Sequence, residues 1–333
     1  MSLAFRRFYS SGLPSASSIA SEFLSKTQSL PTRTQTQVLD ANQLQRLSAT
    51  LSRTELSTLL LKNGTPLPAC YHLAYFTPSQ IEEELARDGT DTTFNPPSPF
   101  TRRMWAGGEL EWVGGDKNRL TVGQQVQEST KLISAVGKKT KAGEEMVIVG
   151  VEKQYENAHG VALIDRRYVV LKFFSPSRAV FVKLGLANLW HRNWIFRPEI
   201  TIPRTPEPKP DEVPFPAGKH TRDFNQSPVS LFRFSALTFN GHKIHYNQEW
   251  CREVEGHRNV VVHGPLNLIN MVNLWRDVKG GDAFPKKITY RATSPLYAGE
   301  GYRIVLDDDV DNVALVKIVD SYGRISMAGQ IEA

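Results

Sequence analysis

The stretch Arg233-Phe234-Ser235-Ala236-Leu237-Thr238-Phe239-Asn240-Gly241-His242-Lys243-Ile244-His245-Tyr246-Asn247, with Val262-His263-Gly264-Pro265-Leu266 after it, is the most informative part of this chain. Asn240 and His245 offer an amide and an imidazole in one short segment. Gly264 offers a backbone N–H where a helix reads as starting. A base, a group that orients water and an oxyanion donor are what α,β-elimination or hydration beside a thioester carbonyl requires. His245 taken alone reads as a structural histidine; Asn240 and Gly264 beside it turn the reading toward catalysis.

Working outward, Pro265 suits the first helical turn, and Gly280-Gly281 ends that helix. Leu266, Ile269, Val272, Leu274 and Trp275 form its buried side. Ser230 to Phe239 reads as a strand, and Gln248 to Val254 as a short helix. Four strand-like runs follow, at Lys287 to Ala292, Tyr302 to Asp307, Ala314 to Val319 and Arg324 to Gly329. One buried helix wrapped by an antiparallel sheet is the expected result.

Upstream, Pro203, Pro206, Pro208, Pro210, Pro214 and Pro216 mark residues 201–222 as a linker between two domains. The stretch from Arg102 to Lys172 is strand-rich, with Met146 to Val151 buried and a turn at Asn157 to Gly160. Residues 65–200 therefore read as an N-terminal domain and 223–333 as a C-terminal, catalytic one. The halves share no sequence repeat, yet both are compatible with one architecture. Residues 10–64 read as a helical extension, because Asp40-Ala41-Asn42-Gln43 and Ser52-Arg53-Thr54-Glu55 each fit a capping box.

The 333 residues are 40% hydrophobic and 22% charged, and no apolar run is long enough to span a membrane. The formal charge of +6 suits acidic partners such as phosphorylated carriers, but no Lys/Arg tract argues for nucleic acid. Cys70 and Cys251 have neither disulfide-framework nor metal-ligand spacing, and read as free thiols. Residues 1–20 hold Arg6, Arg7 and six serines, with no acid before Glu22. That composition marks a mitochondrial transit peptide, with cleavage expected after Tyr9 and the matrix as destination.

The segment Arg233 to Tyr246 resembles the hydratase motif of the MaoC-like hot-dog family, and Val262 to Leu266 resembles the start of that family's central helix. Arg102-Arg103-Met104-Trp105-Ala106-Gly107-Gly108 is similar to a signature of its long branch, which contains the hydroxyacyl-thioester dehydratases type 2 and the mesaconyl-CoA hydratases. The resemblance spans roughly residues 65–333. It implies an α+β double hot dog, two antiparallel sheets each wrapped around a central helix. It also implies reversible water elimination from a (3R)-3-hydroxyacyl thioester of coenzyme A or acyl carrier protein, without metal or other cofactor.

The family motif Asp-x-Asn-Pro-x-His places its catalytic histidine on His245 and its aspartate on Asn240, its asparagine on His242 and its proline on Lys243. Asn240 cannot take a proton, so the resemblance makes His245 the single base and acid, Asn240 the water-orienting group and Gly264 the oxyanion donor. Arg103, Tyr246 and Pro265 are the expected substrate contacts. His242 reads as a surface side chain in a turn, and His263 as a packing or capping residue. Trp105 and Trp112 read as core. Arg102 with Arg103, and Lys286 with Lys287, read equally as phosphate ligands or structural pairs.

Three alternatives stay open. A hydratase of a short dicarboxylic enoyl-CoA needs a buried cation, which Arg103 or Arg233 could supply. A non-catalytic acyl-thioester-binding subunit is compatible with Asn in place of Asp. A thioesterase is disfavoured, since no acid lies near Gly264 in sequence. Monomer and homodimer both fit.

Overall fold

A computed structural model describes residues 14–58, 60–140, 143–167, 194–280, 283–307 and 312–333. The expected transit peptide, residues 1–9, lies outside them. Among the described residues the strands are β1 (Arg33–Val38), β2 (Arg102–Trp105), β3 (Gly107–Glu111), β4 (Gln125–Lys139), β5 (Glu145–Asn157), β6 (Gly160–Arg167), β7 (Trp194–Arg197), β8 (His220–Asn225), β9 (Lys287–Ala292), β10 (Gly301–Leu306), β11 (Val313–Asp320) and β12 (Ile325–Glu332). Their antiparallel ladder runs β1-β4-β5-β6-β3-β9-β12-β11-β10-β8, with β2 and β7 paired beside it.

The order on either side of β3–β9 is the same. Counting outward, β3-β6-β5-β4-β1 matches β9-β12-β11-β10-β8. The chain is thus two copies of one five-strand topology, a double hot dog. The sheets of the two halves are continuous with one another. Gly107 to Glu111 pair with Arg291 to Lys287 and join them edge to edge. That junction removes two sheet edges that would otherwise expose unpaired backbone.

The expectation of a purely helical N-terminal extension is corrected. Helices occur at Ala16–Gln28 and Ala41–Thr50, but β1 lies between them and pairs with β4. Asp40 caps the second helix by accepting from Gln43 N–H at 2.9 Å. The second capping box does not form, because Ser52 takes a left-handed φ of 56° and only Thr54–Ser57 is helical.

Pro228–Leu237 is a helix, not the expected strand. Ser227 caps it by accepting from Ser230 N–H, and Pro228 pre-sets its first turn. Leu231, Phe234 and Ser235 are buried on one side, a helical spacing that outweighs the strand-like composition. The C-terminal half also contains the long central helix Gly264–Lys279, ended by Gly280 at φ 109°. Its residues Leu266 to Trp275 are all buried. In the N-terminal half the stretch between β1 and β3 holds the shorter helix Ala41–Thr50 and, after it, 3-10 turns at Tyr71–Ala74 and Glu82–Glu84, with no counterpart as long as Gly264–Lys279 among the described residues. That stretch contributes a wall of the main cavity.

Candidate active site

The turn that carries Asn240 and His245 follows the helix Pro228–Leu237. Asn240 N–H returns to Ser235 O at 2.9 Å, and Phe239 takes a φ of 47° to allow it. Asn240 Oδ1 then accepts the His242 N–H at 3.1 Å, an Asx turn that fixes the amide at the cavity wall. A 3-10 turn, Lys243–His245, carries His245 inward.

His245 is buried, with Nδ1 2.7 Å from Val261 O. A carbonyl only accepts, so Nδ1 carries the proton and Nε2 presents a lone pair. Burial lowers the His245 pKa to about 4, although the bond to Val261 opposes this. The ring is therefore neutral at pH 7, the state a base requires.

His263 stacks on His245, with centroids 3.7 Å apart and planes at 17°. It precedes the central helix without capping it, and its Nε2 lies 2.9 Å from Ser235 Oγ. Burial pushes its pKa well below the usual value, and the neighbouring His245 and His242 push the same way. The packing reading of His263 is thereby refined: the residue it packs on is the candidate base.

His242 is not at the surface, as its place in a turn suggested. It is buried, edge-on to His245 at 5.3 Å, with Nε2 3.5 Å from Asp88 Oδ2. The cover is the N-terminal half's loop around Asp88. Lys243 N–H donates to Asp88 O, and Lys243 Nζ to Arg87 O, both at 2.8 Å. Gly89, at φ 81°, makes the approach possible, since a Cβ there would overlap Gly241 O.

Gly264 opens the central helix, where N–H groups lack intrahelical acceptors and the dipole is positive. A Cβ at Gly264 would overlap the Trp105 indole, which itself stacks on Tyr290. Trp105 therefore walls the site rather than only filling core, while Trp112 is buried against Phe284.

His242, His245, His263, Asn240, Gly264, Pro265 and Arg103 all line one cavity of about 710 Å³. Arg103 pairs with Asp91 at 3.3 Å and lies over the Trp194 ring. Arg102 pairs with Glu255 at 2.7 Å, and both line the cavity. Two expected contacts are corrected. Tyr246 is half exposed, bonds to Gly241 O and is not among the lining residues. Arg233 is exposed on the outer face of its helix, so it supplies no buried cation. Lys287 pairs with Glu109, a structural role. Cys70 and Cys251 are buried free thiols.

Asp88, Glu255 and Ser235 carried no role in the sequence expectations, and His263 only a packing or capping one. Asp88 and Glu255 bring carboxylates to the cavity although no acid is near Gly264 in sequence. With His242, their ligand atoms lie within 4.8 Å of one another. Both Glu255 oxygens are engaged by Arg102 and Trp250, and Asp88 Oδ1 by Thr90. These bonds hold the carboxylates as parts of a polar network.

The family model described as "Hydroxyacyl-thioester dehydratase type 2" matches residues 70–179 and 183–298. A mesaconyl-C(4)-CoA hydratase of Chloroflexus aurantiacus is 27% identical over 253 residues, 75% of this chain and 78% of its own. A mitochondrial hydroxyacyl-thioester dehydratase type 2 of Schizosaccharomyces pombe is 25% identical over 265 residues, 73% of this chain and 79% of its own. Among solved structures, a MaoC-like dehydratase of Phytophthora capsici superposes with a TM-score of 0.61 at 16% identity, covering 92% of this chain and 97% of its own. A Mycobacterium tuberculosis protein described as having a double hotdog fold gives 0.52 at 11% identity, covering 92% and 96%. With its match over most of the length and its two-fold sheet, the chain belongs to the hydroxyacyl-thioester dehydratase type 2 family.

Proposed function

We propose that this protein is a hydro-lyase that removes water reversibly from a (3R)-3-hydroxyacyl thioester, acting in mitochondrial type II fatty acid synthesis. The observation that carries the reading is His245: a buried, neutral imidazole whose Nδ1–H is fixed on Val261 O, leaving Nε2 as the base. In elimination, His245 Nε2 takes the α-proton while the thioester oxygen gathers charge at the Gly264 N–H. The C3–O bond then breaks, the α,β double bond forms, and the proton on His245 passes to the departing oxygen to give water. Hydration is the reverse.

The acyl group is carried as a thioester by coenzyme A or an acyl carrier protein, whose acidic groups suit the arginines of the cavity. Support for a mitochondrial address comes from Arg6, Arg7 and the serine-rich start, and from relatives named as mitochondrial. A second reading is favoured by one feature: Arg102 and Arg103 line the cavity, as a dicarboxylic enoyl-CoA such as the mesaconyl relative's substrate requires.

Crotonyl-CoA hydration by the chain without residues 1–9, beside its His245→Ala variant, tests the proposal. Activity in the parent that falls by about 10²–10⁴ in the variant supports it. A folded parent inactive on crotonyl-, mesaconyl- and carrier-protein thioesters would replace it with a non-catalytic acyl-thioester-binding role.

A further inference from the structure

We infer that His242, held by Asp88 of the N-terminal half, receives the O–H of the departing hydroxyl or attacking water, the task that the carboxylate lost at Asn240 would perform. This rests on the hydro-lyase reading above and names a further residue of the same site.

The geometry is specific. Asn240 Oδ1 already accepts the His242 N–H, which ties up one of its lone pairs, and its Nδ2 is a donor. A hydroxyl leaving C3 has an O–H of its own, and that hydrogen needs an acceptor. His245 Nε2 is committed to the α-proton. Two further imidazoles line the cavity: His263, stacked on His245 with its Nε2 2.9 Å from Ser235 Oγ, and His242, edge-on to His245 with ring centroids 5.3 Å apart and next to Asn240 in the same turn. His242 Nε2 lies 3.5 Å from Asp88 Oδ2, and a carboxylate at that distance favours the proton on Nε2. Nδ1 then carries the lone pair, on a ring that lines the cavity.

Asp88 is itself fixed. Its Oδ1 accepts from Thr90 N–H at 3.0 Å and Thr90 Oγ1 at 2.6 Å, and its carbonyl holds Lys243 N–H. The N-terminal half thus positions an orienting group of the C-terminal half's site. The proton balance of the reaction is unchanged: His245 carries the proton from Cα to oxygen, and His242 only accepts the hydrogen bond that fixes the hydroxyl.

The test separates orientation of an O–H from every other role. A (3R)-3-fluorobutyryl-CoA loses fluoride, which has no O–H to orient, yet still needs His245 for the α-proton. His242→Leu is expected to lower dehydration of 3-hydroxybutyryl-CoA at least 100-fold while keeping fluoride elimination within about threefold of the parent. Asp88→Asn, a milder change for folding, is expected to lower dehydration about tenfold with the same sparing of fluoride elimination. Equal losses on both substrates, or none on either, in a folded Asp88→Asn protein would overturn the inference. His245→Ala must lose both reactions; if it retains them, the hydro-lyase reading itself fails, which is a different outcome.

Discussion

His245 and His263 stack face to face, 3.7 Å between centroids and 17° between planes. Two neutral imidazoles in this arrangement lock the base in rotation, because one side is closed by His263 and Nδ1 is held by Val261 O. His263→Leu removes the flat support and leaves Ser235 Oγ without its partner. The expected result is a kcat for crotonyl-CoA hydration lowered about 10- to 100-fold with KM little changed, read by steady-state kinetics. An unchanged kcat would show that the stack does not position His245.

Burial shapes the response to pH. His245 is pushed to about 4, so the acid limb of kcat/KM is expected near pH 4 instead of near 6.5. Stability follows with a definite sign. Between pH 6.5 and 4 the unfolded chain binds protons at His72 and His245 that the folded chain refuses, so stability falls as pH drops through that window. Each of the two contributes roughly 3 kcal/mol at full extent. Urea unfolding at pH 7 and pH 5 should show the loss; equal midpoints would refute it.

Gly264 has no room for a methyl group. Gly264→Ala would drive a Cβ into Trp105, and relief requires the indole or the helix start to shift. The expected cost is about 1–3 kcal/mol in stability, with a kcat loss of about 10²–10³ from a displaced oxyanion donor. Adding Trp105→Ala should recover part of the stability without the activity. Thermal melting beside kinetics decides whether the two effects separate.

Glu255 and Arg102 form a nearly buried ion pair between the halves, with 6% and 14% of their side chains exposed. Removing one partner strands the other charge. Glu255→Ala is expected to destabilise the fold by about 3–5 kcal/mol in chemical denaturation. A shift below about 1 kcal/mol would mean that water reaches Arg102 freely.

The sequence reading reached the central helix and the four strands after it because each has a clear boundary and period. Pro265 and Gly280 bracket the helix, and β11 alternates intermediate and buried residues over most of its length. It failed at Pro228–Leu237, where Leu231, Arg233, Ser235 and Leu237 mimic strand alternation. Ser227 and Pro228 outside that pattern decided for helix. It also missed β1, a strand that is largely exposed and pairs along one edge only, and so has little hydrophobic signal.

By itself the sequence picked out Asn240 and His245, which one short turn holds together, and Gly264 at a helix start. Their company was decided by tertiary structure alone. Asp88 reaches His242 only because an N-terminal loop folds over the catalytic turn, with Gly89 against Gly241. His263 meets His245 only because Val261 and Ile244 are bonded backbone to backbone, at 2.7 Å. Local sequence sets local turns; contacts across halves depend on chain closure, which no local pattern encodes.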